Sequence, residues 1–152
     1  MKPLTYLAFD YGTHVIGVAV GRNPPGRAEG AGTVAGRTKG PDWPAIERLL
    51  AAWEPDALIV GLPLNMDGTD NEMTVAARRF SRRLDGRYHL PVYLVDERLT
   101  TASARDRVVA TGVPRRRRKA ALDTLAAITI LQAYFDDLPH TGPDHPRDPI
   151  DA

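Results

Sequence analysis

Leu4 to Gly21 constrains the fold of this chain more than any other stretch. It contains two β-rich runs, Leu4–Asp10 and Val15–Gly21, with Gly12 and Thr13 supplying a tight turn between them, so the pair reads as antiparallel strands. At a period of two, Tyr6, Ala8 and Asp10 share one face, and Leu7 and Phe9 share the other. Asp10 closes the first strand. An ionised carboxylate at the end of an apolar strand is costly unless something cationic meets it. Two readings fit: a metal ligand beneath a phosphate, or the opening of an Asx-turn ahead of Gly12.

Further along, Arg22–Gly32 is rich in Gly, Pro and Arg and reads as a loop, with Thr33–Gly36 as a short edge-like strand. Pro41–Trp53 reads as a helix capped by Asp42, with Ile46, Leu49, Leu50 and Trp53 at helical spacing and Pro55 as its stop. Asp56–Gly61 and Pro91–Val95 are short continuous apolar runs, as expected of strands buried on both faces of a parallel sheet. Between them, Leu62–Gly68 is a loop. Thr69 with Glu72 forms a capping-box signature for a helix to about Leu84, with an apolar stripe of Met73, Ala76, Ala77, Phe80 and Leu84. After Asp96-Glu97-Arg98, a helix capped at Thr100 or Thr101 ends near Gly112. A final helix covers about Arg116–Asp136. Buried strands alternating with helices predict an α/β fold with a mixed sheet, antiparallel at the hairpin. Loops that follow parallel strands gather at the carboxyl edge, where ligands bind in such sheets, so the Asn65–Asp67 loop and Glu97 are expected to be neighbours. Residues 1–137 form one domain and 138–152 a mobile acidic, Pro-rich tail.

No apolar run approaches the ~20 residues of a membrane span, and the N-terminus has no signal-peptide pattern, so the cytoplasm is expected and a membrane partner is not. The absence of cysteine rules out thiolate metal sites. The four histidines, His14, His89, His140 and His145, include no pair three or four apart on a helix, which argues against zinc. There is no glycine-rich phosphate loop ending in Lys-Ser/Thr, and neither Ser81 nor Ser103 sits in a nucleophile-elbow pattern. Net charge is only +1, yet it is unevenly spread: Arg78–Arg87 holds five Arg against Asp85, and Arg105–Lys119 holds six Arg and one Lys against Asp106. The first cluster also fits a solvated helix face. The second, with four consecutive Arg, fits phosphate contact better.

The last helix places Asp123 on one stripe with Ala127, Ile130, Leu131 and Tyr134, facing the sheet. A charge there is unwelcome unless paired. The alternative is an exposed Asp complementing the helix dipole, paired with Arg116 or Lys119.

Four segments together resemble the YqgF (RuvX) family: Asp10-Tyr-Gly-Thr with Ile16-Gly-Val-Ala, Gly61-Leu-Pro-Leu-Asn-Met-Asp-Gly-Thr69, Asp96-Glu-Arg-Leu-Thr-Thr101, and Asp123 with Ala126-Ala127 and Ile130-Leu131. That family is described as Holliday junction resolvases and pre-16S ribosomal RNA nucleases on the ribonuclease H-like fold, and the resemblance runs from Leu4 to about Tyr134. It implies a three-layer fold with a mixed five-stranded sheet flanked by helices. It also implies that Asp10, Glu97 and Asp123 are the catalytic, metal-holding acids, with Asp96 and Arg98 behind them. Where the family usually has Lys or Arg followed by Arg after Gly-Thr, this chain has His14-Val15, so basic contacts must come from elsewhere.

Such acids suit phosphodiester hydrolysis with two Mg²⁺ or Mn²⁺ ions, one activating water and one holding the leaving oxygen. Asn65, Thr69 and Arg115, Arg116, Arg117, Arg118 and Lys119 are the candidate nucleic-acid contacts. The family resemblance alone favours ribosomal RNA precursor over branched DNA as substrate; a two-fold junction would call for a homodimer. Two rivals remain: a non-catalytic nucleic-acid-binding or assembly protein on the same fold, and an ATP-binding lobe of the actin type, for which 152 residues leave too little room.

Overall fold

The period-two alternation of the opening stretch becomes the axis of the protein. In the computed structural model, which describes residues 2–12, 14–36, 40–99 and 115–141, Leu4–Asp10 forms β1 and Val15–Asn23 forms β2, antiparallel to it. β3 (Arg27–Ala35), α1 (Trp43–Trp53), β4 (Ala57–Leu62), α2 (Glu72–Tyr88) and β5 (Val92–Asp96) follow. Glu97–Leu99 is a 3-10 turn, and α3 spans Arg115–Thr141. The sheet order is β3-β2-β1-β4-β5. β4 is parallel to both β1 and β5, whereas β2 is antiparallel to its two neighbours.

The two faces of β1 build separate cores. Leu7 and Phe9 join Val18, Leu58, Val60, Ile46, Phe80 and Leu84 under α1 and α2. Tyr6 and Ala8 join Ala19, Ile59, Tyr93 and Val95 under Ala127, Ile130, Leu131 and Tyr134 of α3. All six residues of β4 are buried, as its unbroken apolar run predicts for a strand covered on both sides. The result is the expected three-layer fold, with one helix on one face of a mixed five-stranded sheet and two on the other among the described residues. Among the described residues no helix is long and apolar enough to cross a membrane. The helix expected between Thr100 and Gly112 and the tail beyond Thr141 lie outside the described residues.

Two local expectations are corrected. Arg22–Gly32 is not a loop. β2 runs to Asn23, the turn is confined to Pro24–Gly26, and β3 begins at Arg27. The glycines that gave the segment its loop-like composition serve a bulge. Pairing shifts between Val18 and Ala19, where Gly32 and Gly30 are the successive partners, and Gly32 has φ of +101°. At Gly30 a Cβ would lie 2.5 Å from the Thr124 methyl of α3, so the strand lacks side chains where the helix crosses it. Gln132 of α3 closes the contact, accepting from the Ala28 amide at 3.1 Å and donating to the Gly26 carbonyl at 2.9 Å.

The second correction concerns the start of α2. Its cap is Asn71, not Thr69, and the reciprocal box pairs Asn71 with Thr74. Thr69 is unavailable because its hydroxyl donates to Asp67 at 2.6 Å and accepts from Asn65 at 3.0 Å. α1 behaves as expected, with Asp42 accepting from the Ala45 amide at 3.2 Å.

Candidate active site

β1 delivers Asp10 to the carboxyl edge of the sheet, on the face that α3 covers. Its neighbours across the sheet explain how other acids reach it. Gly17 is its partner on β2, and Gly61 follows Val60, which pairs with Phe9 on β4. A Cβ at Gly17 would fall 1.9 Å from the backbone oxygen of Asp123, and one at Gly61 would fall 2.4 Å from Ile130 Cδ1 and 3.0 Å from Glu97 Cγ and Cδ. Asp10 is thus flanked on both sides by residues without side chains. One vacancy admits the backbone of α3 at Asp123; the other admits the Glu97 side chain. Neither glycine was singled out from sequence as part of the site. The available signal was a Gly inside an otherwise β-branched run, which marks close approach of another chain segment.

The electrostatics follow from that crowding. Burial raises the Asp10 carboxyl; a hydrogen bond with Glu97 pulls the other way, and the Asp123 charge adds to the rise. Burial also pushes Glu97 up to about 8, aided by the Asp10 charge and by the same hydrogen bond, with a smaller push from Asp96. Burial and mutual repulsion raise both carboxyls, so the pair favours holding one proton between them. Asp123 is half-buried on the α3 stripe, one turn before the fully buried Ala127, and its charge is felt by Asp10. Two acids are therefore in contact and the third is within electrostatic reach. Among the described residues no three His, Cys, Asp or Glu side chains yet close around a common point.

Asp96 and Arg98 form a separate unit. Arg98 Nε lies 3.1 and 3.0 Å from the two Asp96 oxygens, and Nη2 lies 2.6 Å from one of them. The guanidinium holds Asp96 below its usual range. Arg98 Nη1 also donates to the Met66 carbonyl at 3.2 Å, which brings the β4–α2 loop beside the end of β5 as expected. That loop is braced internally: Asn65 Nδ2 donates to Thr69 Oγ1, Asn71 Nδ2 donates to Asn65 Oδ1 at 2.9 Å, and the Thr69 amide donates to Asp67 at 3.0 Å. The two Thr69 bonds hold the exposed Asp67 carboxyl below its usual range. Asn65 and Thr69 thus sit in the loop that Arg98 reaches but are occupied with one another. Arg115–Lys119 occupy the first turns of α3; their side chains lie outside the described residues. Ser81 is accounted for structurally, its buried hydroxyl donating to the Ala77 carbonyl at 2.9 Å.

A mixed sheet of this order, with the carboxylate of Asp10 at the end of its central strand, defines the ribonuclease H-like class. Two solved structures share the fold. One is "T. thermophilus RuvC in complex with Holliday junction substrate" (TM-score 0.54, 16% identity, 91% of this chain and 97% of that one). The other is "Thermus thermophilus RuvC structure" (TM-score 0.51, 14% identity, 91% and 98%). The family model described as "RuvX: Holliday junction resolvase" matches residues 4–137, and the chain belongs to that family of nucleases. Among its relatives are proteins named "Putative pre-16S rRNA nuclease". The one from Glaesserella parasuis is 45% identical over 132 residues, covering 87% of this chain and 96% of the relative. The one from Escherichia coli O157:H7 is 47% identical, with the same coverage.

Proposed function

We propose that this protein is a divalent-metal-dependent nuclease that hydrolyses phosphodiester bonds in structured nucleic acid, with ribosomal RNA precursor as its substrate in the cytoplasm. The observation that carries the reading is the carboxyl–carboxylate hydrogen bond between Asp10 and Glu97, within reach of the Asp123 charge. Such an arrangement is unfavourable once both groups ionise. Arg98, the nearest described arginine in sequence, is committed to Asp96 and the Met66 carbonyl. An all-oxygen donor set that holds a proton in place of a cation fits Mg²⁺ or Mn²⁺. Asp10, Glu97 and Asp123 would hold the metal, which when bound supplies an activated water and charge for the leaving alkoxide. Asp10, in contact with Glu97 and within reach of the Asp123 charge, would be the acid shared between the two sides of the site. Asp96, with Arg98 locked on it, keeps the Glu97 turn in place. The Asn65–Thr69 loop and Arg115–Lys119 contact substrate phosphates.

Purified protein should cut a ribosomal RNA precursor with Mg²⁺ or Mn²⁺ and leave it intact with chelator. Incision of a four-way junction alone would overturn the RNA preference, and would require two sites and hence a homodimer. Incision of neither would favour a binding or assembly role.

The Glu97 proton gives a second test. A carboxyl raised in the folded state stabilises the metal-free protein fully below the unfolded value of 4.5, and that contribution is lost as pH rises through about 8. Cation and proton compete for the same oxygens. The rise in melting temperature caused by Mg²⁺ should therefore grow from weakly acid pH up to about 8 and level off above it. Calorimetry in buffers of different ionisation enthalpy should detect a proton released on binding at neutral pH. Glu97→Gln should remove both effects. A Mg²⁺ response independent of pH would count against the shared site.

A further inference from the structure

The five arginines of α2 separate by what surrounds them. Arg78 holds both oxygens of Asp70, at 3.0 and 3.2 Å. The guanidinium carbon of Arg87 lies 4.1 Å from the centre of the Trp43 ring, with Glu47 3.9 Å from its Nη1. Those two fasten the helix to its surroundings. Arg79, Arg82 and Arg83 do not: all three are exposed, and the ion pairs and ring contact found among the described residues of α2 belong to Arg78 and Arg87.

Their spacing of i, i+3 and i+4 puts the three on one helix face, roughly 5–6 Å apart, where like charges destabilise a helix. The opposite face carries Thr74, Ala77, Phe80, Ser81 and Leu84, all buried, so the arginines point away from the sheet. Asp85, the single acid in the segment, is half-buried. The start of α2 adjoins the loop that Arg98 ties to the end of β5. At 1.5 Å per residue, Arg79 to Arg83 lies about 10–17 Å along the helix from Glu72. A row of guanidinium forks with no ion pair among the described residues therefore begins about 10 Å along α2 from the loop beside the site and crosses the face opposite α3. Guanidinium forks match phosphate oxygens, and phosphate contact fixes position without reading sequence.

We propose that Arg79, Arg82 and Arg83 grip the phosphate backbone of a double-helical segment flanking the cleaved strand, as a second contact surface apart from the acids. The inference rests on the nuclease reading and adds to it how the substrate is held.

The test is binding of the full chain to a short fluorescein-labelled RNA duplex with a single-stranded extension, across a salt series and with chelator present so that nothing is cut. Each phosphate contact contributes about 0.7–0.9 to the slope of log affinity against log salt, so the combined Arg79→Gln, Arg82→Gln, Arg83→Gln variant should be shallower by about 2–3 and weaker by about 10–100-fold at low salt. The triple lysine variant should recover most of the slope, and the melting temperature of the glutamine variant should not fall, since it loses like charges that destabilise the helix. Wild-type slope and affinity in the glutamine variant would overturn the inference alone and leave these residues a solvated face. Absence of salt-dependent RNA binding by the wild-type protein would overturn the RNA-nuclease reading together with it.

Discussion

Asp10→Asn is expected to lower the single-turnover cleavage rate by a factor on the order of 10³ or more, about 4 kcal/mol of transition-state stabilisation. Nucleic-acid binding should be retained, because phosphate contacts elsewhere supply it. The same substitution should raise the melting temperature of the metal-free protein at neutral pH. Asp10 is buried, carries a raised carboxyl and feels the Asp123 charge; the amide keeps a hydrogen-bonding group against Glu97 and removes the repulsion. Gain of stability together with loss of rate separates a functional carboxylate from a structural one, since a structural Asp would lose stability when altered. Cleavage assays, equilibrium binding and thermal melting of one purified preparation provide the readouts. Wild-type cleavage by the variant would refute the assignment of Asp10.

Gly17→Ala is the second change with a large expected effect, although it adds only one methyl group and alters no charge. Its Cβ would lie 1.9 Å from the Asp123 carbonyl oxygen and 2.8 Å from the carbonyl carbon. Both partners are backbone, so no side-chain rotation relieves the overlap, and α3 must lift from the sheet. The expected cost is about 2–4 kcal/mol, roughly 4–16 °C in melting temperature for a domain of this size. Cleavage should fall as well, since Asp123 is carried away from Asp10. Gly86→Ala supplies the contrast. Gly86 lies within α2 and a Cβ there meets nothing within 4 Å, so the change should stabilise by about 0.5–1 kcal/mol through helix propensity. Melting curves of the two variants should therefore move in opposite directions. A neutral Gly17→Ala would mean that α3 does not approach β2 as closely as described.

What was legible in the sequence was whatever a single periodicity decides. Alternation along β1 placed Asp10 on the face of Tyr6 and Ala8, and that is the face α3 covers. The 3.6-residue stripe of α3 placed Asp123 above Ala127, Ile130, Leu131 and Tyr134, all buried. Unbroken apolar runs identified β4 and β5 as central or covered strands. Composition misled where a residue type has two uses. Gly30 and Gly32 read as loop residues but serve a bulge and a helix crossing, distinctions that depend on tertiary contact. Thr69 carried a capping signature, yet Asp67 and Asn65, a few residues away, claim its hydroxyl. The sharing of a proton between Asp10 and Glu97 was out of reach because no local pattern connects residues 10 and 97. It arises from two strands that are not adjacent in the sheet, separated by β4.

Because α3 is the last described element and, among the described residues, the sole cover of one sheet face, a ribosome releases Asp10 early and Asp123 late. Until α3 docks, Tyr6, Ala8, Ile59, Tyr93 and Val95 stand open to solvent in the nascent chain, an aggregation hazard of the kind chaperones shield. The acids assemble only after α3 has emerged and docked, so a copy halted before α3 would hold an incomplete acidic site.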